Sequence, residues 1–210
     1  MTLRVAVLIS GAGTNLQALL DTVHRRKGVE IVAVASSTAA AAGLARAERA
    51  GVETAAFALA DYPARAARDR ALADWLSARS VELVVLAGFM ELLEPEFVQR
   101  FAGRIINVHP ALLPAFPGVR AIEQALEYGV KVIGVTVHFV DGGVDTGPII
   151  LQECFPLPYP RDIAEITQRV HSVEHRLLPR AVRLIAEGRV RIDERNPRLV
   201  HTDEIEDGAD

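Results

Sequence analysis

"LRVAVLISGAGTNLQALL", residues 3–20, sets an apolar run, a glycine-rich turn and the opening of a helix in direct succession. Outward from it the same order repeats: short β-branched runs alternate with longer Ala-, Leu- and Arg-rich stretches of helical period. Strands are predicted at residues 3–9, 30–36, 52–57, 82–88, 104–109, 131–140 and 148–156, with helices in most of the gaps. The Ala-rich stretch at 37–51 is expected to be a helix packed closely on the sheet. Near-continuous apolar strands such as "LVVLA" (83–87) imply a sheet covered on both faces, the usual state of a parallel sheet. Only about seven residues separate the last two strands, too few for a crossover, so that pair is expected to be antiparallel. The expected fold is α/β: an open, mostly parallel twisted sheet of about seven strands with helices on both faces, Rossmann-like, its last strands antiparallel. A long helix is expected from about 162 to 187, kinked or split at Pro179, and a short closing strand within "GRVRIDERNPRLV" (188–200).

At 210 residues, 50% of them hydrophobic, the chain is long enough for one well-filled core and short for two. A single domain is expected over 1–192, with 193–210 as a C-terminal extension that ends in a disordered acidic tail. Asp203, Glu204, Glu206, Asp207 and Asp210 hold five of the 27 acids, so the body balances 23 basic residues against 22 acidic ones. A near-neutral body offers no general field for nucleic acid or an anionic membrane, and any bound anion must be held by a local site. Cys154 is the only cysteine, which excludes an internal disulfide and a cysteine-cluster metal site and fits a reducing cytoplasm. "MTLRVAVLIS" is too short an apolar segment for a signal peptide, and no run approaches membrane-spanning length.

Gly11 and Gly13 permit a tight turn where helix-opening N–H groups bind phosphate. Leu16 occupies the third glycine position of the dinucleotide fingerprint. The second strand ends in Ser36, Ser37 and Thr38 with no acid for a ribose, which argues against a nicotinamide cofactor. No lysine follows in Walker A spacing, which argues against a nucleoside triphosphate. Gly13, Thr14 and Asn15 remain as a monophosphate cradle or as a purely structural turn.

In "RIINVHPALLP" (104–114), Asn107 and His109 are two apart and share one side of a strand that Pro110 ends. A lone strand-end histidine is more often structural than catalytic, but ligands of open α/β sheets bind outside the carboxyl ends of strands. "FVDGGVDTGPII" (139–150) suits a turn, or else carries Asp145 back to His109, where a carboxylate fixes the imidazole tautomer. Asn, His and Asp would then form an acid/base and oxyanion site that needs no serine or cysteine nucleophile. "HSVEH" (171–175) matches the inverted zinc-protease pattern, with His171 and His175 on one helix face. A third ligand would have to come from the last 35 residues, so no metal is expected, and Glu174 with a polar neighbour suits sugar hydroxyls instead.

Five motifs occur in order: "VLISGAGTNLQALL" (7–20), "VVLAGFMELL" (84–93), "INVHPALLPAFPG" (106–118), "GVTVHFVDGGVDTGPII" (134–150) and "RVHSVEHRLLP" (169–179). Together they closely resemble the phosphoribosylglycinamide formyltransferases, the folate-dependent glycinamide ribonucleotide transformylases of purine synthesis, over about residues 3–192. The resemblance implies formyl transfer from 10-formyltetrahydrofolate, a co-substrate, to the amino group of glycinamide ribonucleotide without a metal. It implies that Gly13, Thr14 and Asn15 hold the ribose-phosphate and that Glu174, with His171 beside it, contacts the ribose. Folate would be met by Arg65, Met90, Glu91, Leu92, Leu93, Asn107 and the loop Asp141, Gly142, Gly143, Val144 and Asp145. Asn107, His109 and Asp145 match the catalytic trio. Glu91 and His171 depart from the Arg and Gln of relatives and put those two contacts in doubt. Partners are expected to be small molecules, with no nucleic acid and no membrane, and the chain to be a monomer or homodimer. The same trio serves formyltetrahydrofolate hydrolases and methionyl-tRNA formyltransferases, and a non-catalytic sugar-phosphate sensor could share the turn. "SGAGTN" (10–15) favours a small phosphorylated substrate, and neither a further regulatory or C-terminal domain nor a basic patch for tRNA is expected.

Overall fold

Alternation along the strands divides the core in two. The computed structural model describes residues 2–159 and 162–203. The strands β1 (Leu3–Ile9), β2 (Val29–Ser36), β3 (Glu53–Ala56), β4 (Leu83–Leu86), β5 (Ile105–His109), β6 (Val132–Phe139) and β7 (Ile149–Pro156) form one sheet in the order β3-β2-β1-β4-β5-β6-β7. The helices are α1 (Thr14–Thr22), α2 (Gly43–Arg49), α3 (Arg65–Ser77), α4 (Pro95–Arg100), α5 (Ala121–Tyr128) and α6 (Ile163–Ala186). Val5, Val7 and Ile9 of β1, Val85 of β4, Val108 of β5 and Val135 of β6 join one cluster with Leu16 and Leu19 of α1, Ala125 of α5 and Val170 and Leu177 of α6. Ala6, Leu8, Val84 and Ile105, on the other side, join Leu72 and Leu76 of α3 and Phe97 of α4. Successive strand residues point to opposite faces, so an unbroken apolar strand must be covered twice.

The first five strands of the order pair in parallel, and β6 and β7 pair antiparallel as expected. The antiparallel pairing of β5 with β6 was not legible, because α5 between them looks like a crossover helix. The connection is long enough to return on either course, and strand pairing decides which. Its consequence is functional: Asn107 pairs with His138 and His109 with Thr136, on the face that α3 and α4 leave uncovered. Residues 110–120 cover it instead. Thr136 Oγ1 donates to the Ala111 carbonyl (2.7 Å) and accepts from the Leu113 N–H (3.1 Å). A Cβ on Gly134 would lie 2.7 Å from Leu112 Cδ2 and 2.3 Å from the Glu153 carbonyl oxygen, so only glycine permits this approach.

Of the kink or split expected at Pro179, the split does not occur: α6 is one helix of 24 residues with Pro179 inside it. Pro179 removes one backbone donor, but it lies in the apolar face with Val170, Val173, Leu177, Leu178 and Val182, all buried. Tertiary packing of that face outweighs the lost bond. Asp162 caps the helix by accepting from the Ala164 N–H at 2.8 Å. The closing strand is a hairpin, β8 (Val190–Ile192) antiparallel to β9 (Val200–Thr202), and Val190, Ile192 and Val200 pack on the larger core. The extension expected from residue 193 therefore begins inside this hairpin. Residues 204–210 of the expected acidic tail lie outside the described residues. Among the described residues no helix is long and apolar enough to cross a membrane.

Candidate active site

Asp145 gathers the side chains of the polar face. The loop after β6 leaves at the Ile106 end of β5, the edge opposite the C-terminal ends of the parallel strands, and must double back across the face. Asp145 makes that reversal at φ 53°, in the left-handed region. Its Oδ2 lies 3.3 Å from His109 Nδ1 and accepts from the Gly118 N–H at 2.7 Å. Its Oδ1 accepts from Asn107 Nδ2 at 3.3 Å and lies 3.4 Å from His138 Nε2. Burial alone would raise the Asp145 carboxyl. The hydrogen bond from His138, that from Gly118 and the charges of both histidines more than offset this and hold it below the ordinary carboxylate range. The other nitrogen of His109 lies 2.8 Å from the Phe116 carbonyl, so both ring nitrogens face acceptors, and a ring protonated on both satisfies both.

His138 belongs to this cluster and was missed by sequence reasoning. It is buried, its Nδ1 lies 2.8 Å from the Phe139 carbonyl and its Nε2 lies 3.2 Å from Asn107 Nδ2. The available signal was its position two residues after Thr136 on a strand, but the register opposite Asn107 was hidden.

At the other predicted subsite, Gly13 (φ 71°) precedes α1, and a Cβ there would meet Gly43 Cα at 2.7 Å. Glycine is thus required twice, by conformation and by packing. The first turn of α1 holds no acid that would compete with an anion. Arg46, unforeseen from sequence, donates to the Ala12 carbonyl (2.8 Å) and to Gln17 Oε1 (3.1 Å), fixing a cation beside the turn. Asn15 Nδ2 donates to Glu174 Oε2 at 3.1 Å, while buried Asn15 Oδ1 has no partner among the described residues. Burial raises the Glu174 carboxyl, and Asn15 and His171 offset only part of this. His171 is exposed on the same helix; its ring stacks with that of His175 at 6.2 Å.

The predicted folate residues gather at the end of β4. Met90 and Leu92 are exposed and Leu93 packs on the smaller core. Arg65 donates to the Leu92 carbonyl at 3.2 Å. Glu91 is committed to Arg68, a fully buried residue that also pairs with Asp69; Asp69 in turn accepts from the Glu94 N–H at 2.7 Å. The signal for Arg68 was there: it stands four and eight residues before Leu72 and Leu76, in the buried stripe of α3. Ser10 ties the two subsites together. Its N–H donates to the Gly88 carbonyl (3.1 Å), and its Oγ accepts from the Met90 N–H (2.9 Å) and the Ser37 hydroxyl (2.7 Å). In Asp141, Gly142, Gly143 and Val144 the loop residues are partly or fully exposed, and Asp141 Oδ1 accepts from the Gly143 N–H and Thr146 Oγ1.

The chain has counterparts in sequence and fold. Residues 3–182 match the formyl transferase family. The chain is 48% identical over 191 residues to the trifunctional purine biosynthetic protein adenosine-3 of Drosophila pseudoobscura pseudoobscura, spanning 90% of this chain but only 14% of that protein. It is 41% identical to the phosphoribosylglycinamide formyltransferase of Haemophilus influenzae, over 90% of both chains. The solved structure of glycinamide ribonucleotide transformylase 1 from Symbiobacterium toebii superposes with a TM-score of 0.90 at 49% identity, covering 96% of this chain and 94% of that one. Matched over residues 3–182 and along most of the length of a relative, the chain belongs to the formyl transferase family.

Proposed function

We propose that the chain transfers the formyl group of 10-formyltetrahydrofolate to the amino group of glycinamide ribonucleotide, in purine synthesis. The observation that carries the reading is the convergence of Asn107, His109 and His138 on the Asp145 carboxylate. Phosphate at Gly13, Thr14 and Asn15 and ribose at Glu174 would orient the ribonucleotide, with folate along Met90 to Leu93 and the loop Asp141 to Asp145. Its neutral amine attacks the formyl carbon, so no covalent enzyme intermediate is required. The carbonyl oxygen becomes negative in the tetrahedral intermediate. One N–H of Asn107 is held by Asp145, and the second N–H of the same amide is the donor for that oxyanion. Such a donor contributes roughly 3 kcal/mol in other enzymes. The intermediate collapses as the folate nitrogen leaves with a proton, which the His109 ring supplies directly or through water, and the ring is restored by the proton that the attacking amine gives up as it becomes an amide. The side chains held by Asp145 need no metal for these steps. We place this activity in the cytoplasm, on small-molecule substrates, in a monomer or homodimer.

The test is formyl transfer from 10-formyltetrahydrofolate to glycinamide ribonucleotide, with water as control acceptor. Transfer to the amine is expected. Formate release at the same rate without the ribonucleotide would instead mark a hydrolase, and ribonucleotide binding without turnover a sensor.

A further inference from the structure

The hairpin of β8 and β9 lies beyond residues 3–182, which match the family, yet it touches the catalytic loop. Its turn is built around Asp193, whose Oδ1 accepts from the N–H groups of Arg195 and Asn196, both at 2.8 Å, and whose Oδ2 lies 2.9 Å from His201 Nε2. The bond from His201 and those two N–H groups pull the Asp193 carboxyl down to about 2, so the turn keeps its anion at any working pH. Asn196 Oδ1 then accepts from the Arg198 N–H at 3.2 Å, and the Leu199 N–H donates to the Asn196 carbonyl at 2.9 Å. These bonds aim Arg198 at one target: its Nη1 donates to the Thr146 carbonyl at 3.1 Å, across 52 residues of sequence.

Thr146 directly follows Asp145. Its hydroxyl donates to Asp141 Oδ1 at 2.6 Å, and the next residue, Gly147, is pressed so closely on the Phe139 carbonyl that a Cβ would lie 1.8 Å from it. Asp145 itself sits in the left-handed conformation that residues with a Cβ adopt only when their surroundings hold them there. The residue after it is gripped by its hydroxyl from inside the loop and by its carbonyl from outside. We propose that the C-terminal hairpin braces the catalytic loop and that Arg198 is a positioning residue, holding Asp145 in reach of His109 and Asn107. The proposal rests on Asp145 acting in the reaction described above.

The experiment compares the full chain with Arg198→Ala, Arg198→Lys and, as a control in the same turn, Arg195→Ala. Amide hydrogen exchange of residues 141–147 is read without substrate, so it answers even if the transfer reaction itself is not found; that failure would strike only the proposed function. Arg198→Ala is expected to speed exchange in this loop while the core strands keep their protection. It is expected to lower kcat about threefold to tenfold, the scale of one charge-assisted hydrogen bond exposed to water, with KM for the ribonucleotide unchanged. Arg198→Lys should recover part of both, and Arg195→Ala should match the parent. Unchanged loop exchange in Arg198→Ala, an equal effect of Arg195→Ala, or faster exchange throughout the core would each overturn the proposal.

Discussion

Asp145 is the residue on which the site depends, since it bonds Asn107, the Gly118 N–H and two histidines at once. Asp145→Asn and His109→Gln are each expected to lower kcat by at least about a hundredfold, with ribonucleotide affinity within roughly twofold by calorimetry, because the turn proposed to hold its phosphate is built from other elements. Near-normal turnover in both would remove the trio from the mechanism. Glu174 behaves in the opposite sense to Asp145. Its carboxyl is raised by burial, so the folded chain holds that proton more tightly than the unfolded chain does. Stability from this group is therefore present at low pH and lost as pH rises above the unfolded value of about 4.3. Glu174→Gln keeps an acceptor for Asn15 and removes the buried charge. It should raise the thermal midpoint of the unliganded protein at neutral pH while raising KM for the ribonucleotide about tenfold. A lower midpoint would contradict this account of the charge.

Elements set these residues in place through a few contacts between distant segments. Ser10, at the end of β1, holds both Gly88 and Met90 of the segment after β4. Ser10→Ala should raise KM for both substrates about threefold to tenfold; an effect on the ribonucleotide alone would show that the link does not reach the folate side. Under that segment lies Arg68 of α3. Arg68→Met leaves Asp69, itself 2% exposed, without its charged partner, and is expected to cost about 3–5 kcal/mol in urea unfolding. Glu91 is more exposed, so Glu91→Gln should cost less and act mainly on folate KM. The loop from Asp141 to Thr146 has two exposed glycines, Gly142 and Gly143, and is expected to gain protection from proteolysis when folate is added. Equal cleavage with and without folate would count against closure. The elements also show where local signals fall short. Pro179 promised a kink or a break in α6 by its chemistry, and the buried face around it keeps the helix unbroken.

For the whole molecule, acid should act through the carboxylates held below their ordinary values, Asp145, Glu53 and Asp193. Each adds stability above its unfolded value, about 4, and that stability is lost as pH falls through the lower folded value. Thermal midpoints are thus expected to be level above about pH 5 and to fall below about pH 4; a midpoint that rises on acidification would mean that Glu174 dominates instead. Strand positions, the two-sided covering of the sheet and the residues of the turn were legible from sequence alone, because period-two and helical patterns, glycine turns and caps are local consequences of backbone geometry. Asn107, His109 and Asp145 were legible as chemical types by strand spacing and loop composition. Their meeting stood in the sequence only as one of two readings of the 139–150 loop and through the family resemblance; the structure brings Asn107 and His109 each to 3.3 Å from Asp145. The antiparallel course of β6 beside β5, which sets His138 opposite Asn107 and sends the Asp145 loop back across the face, depends on which strands pair. Glu91, one of the partners of Arg68, and Thr146, which accepts from Arg198, lie 23 and 52 residues away. Local chemistry determined which residues could serve; only the tertiary structure decided which of them meet, because pairing register and the direction of chain return are properties of the whole sheet and of no single segment.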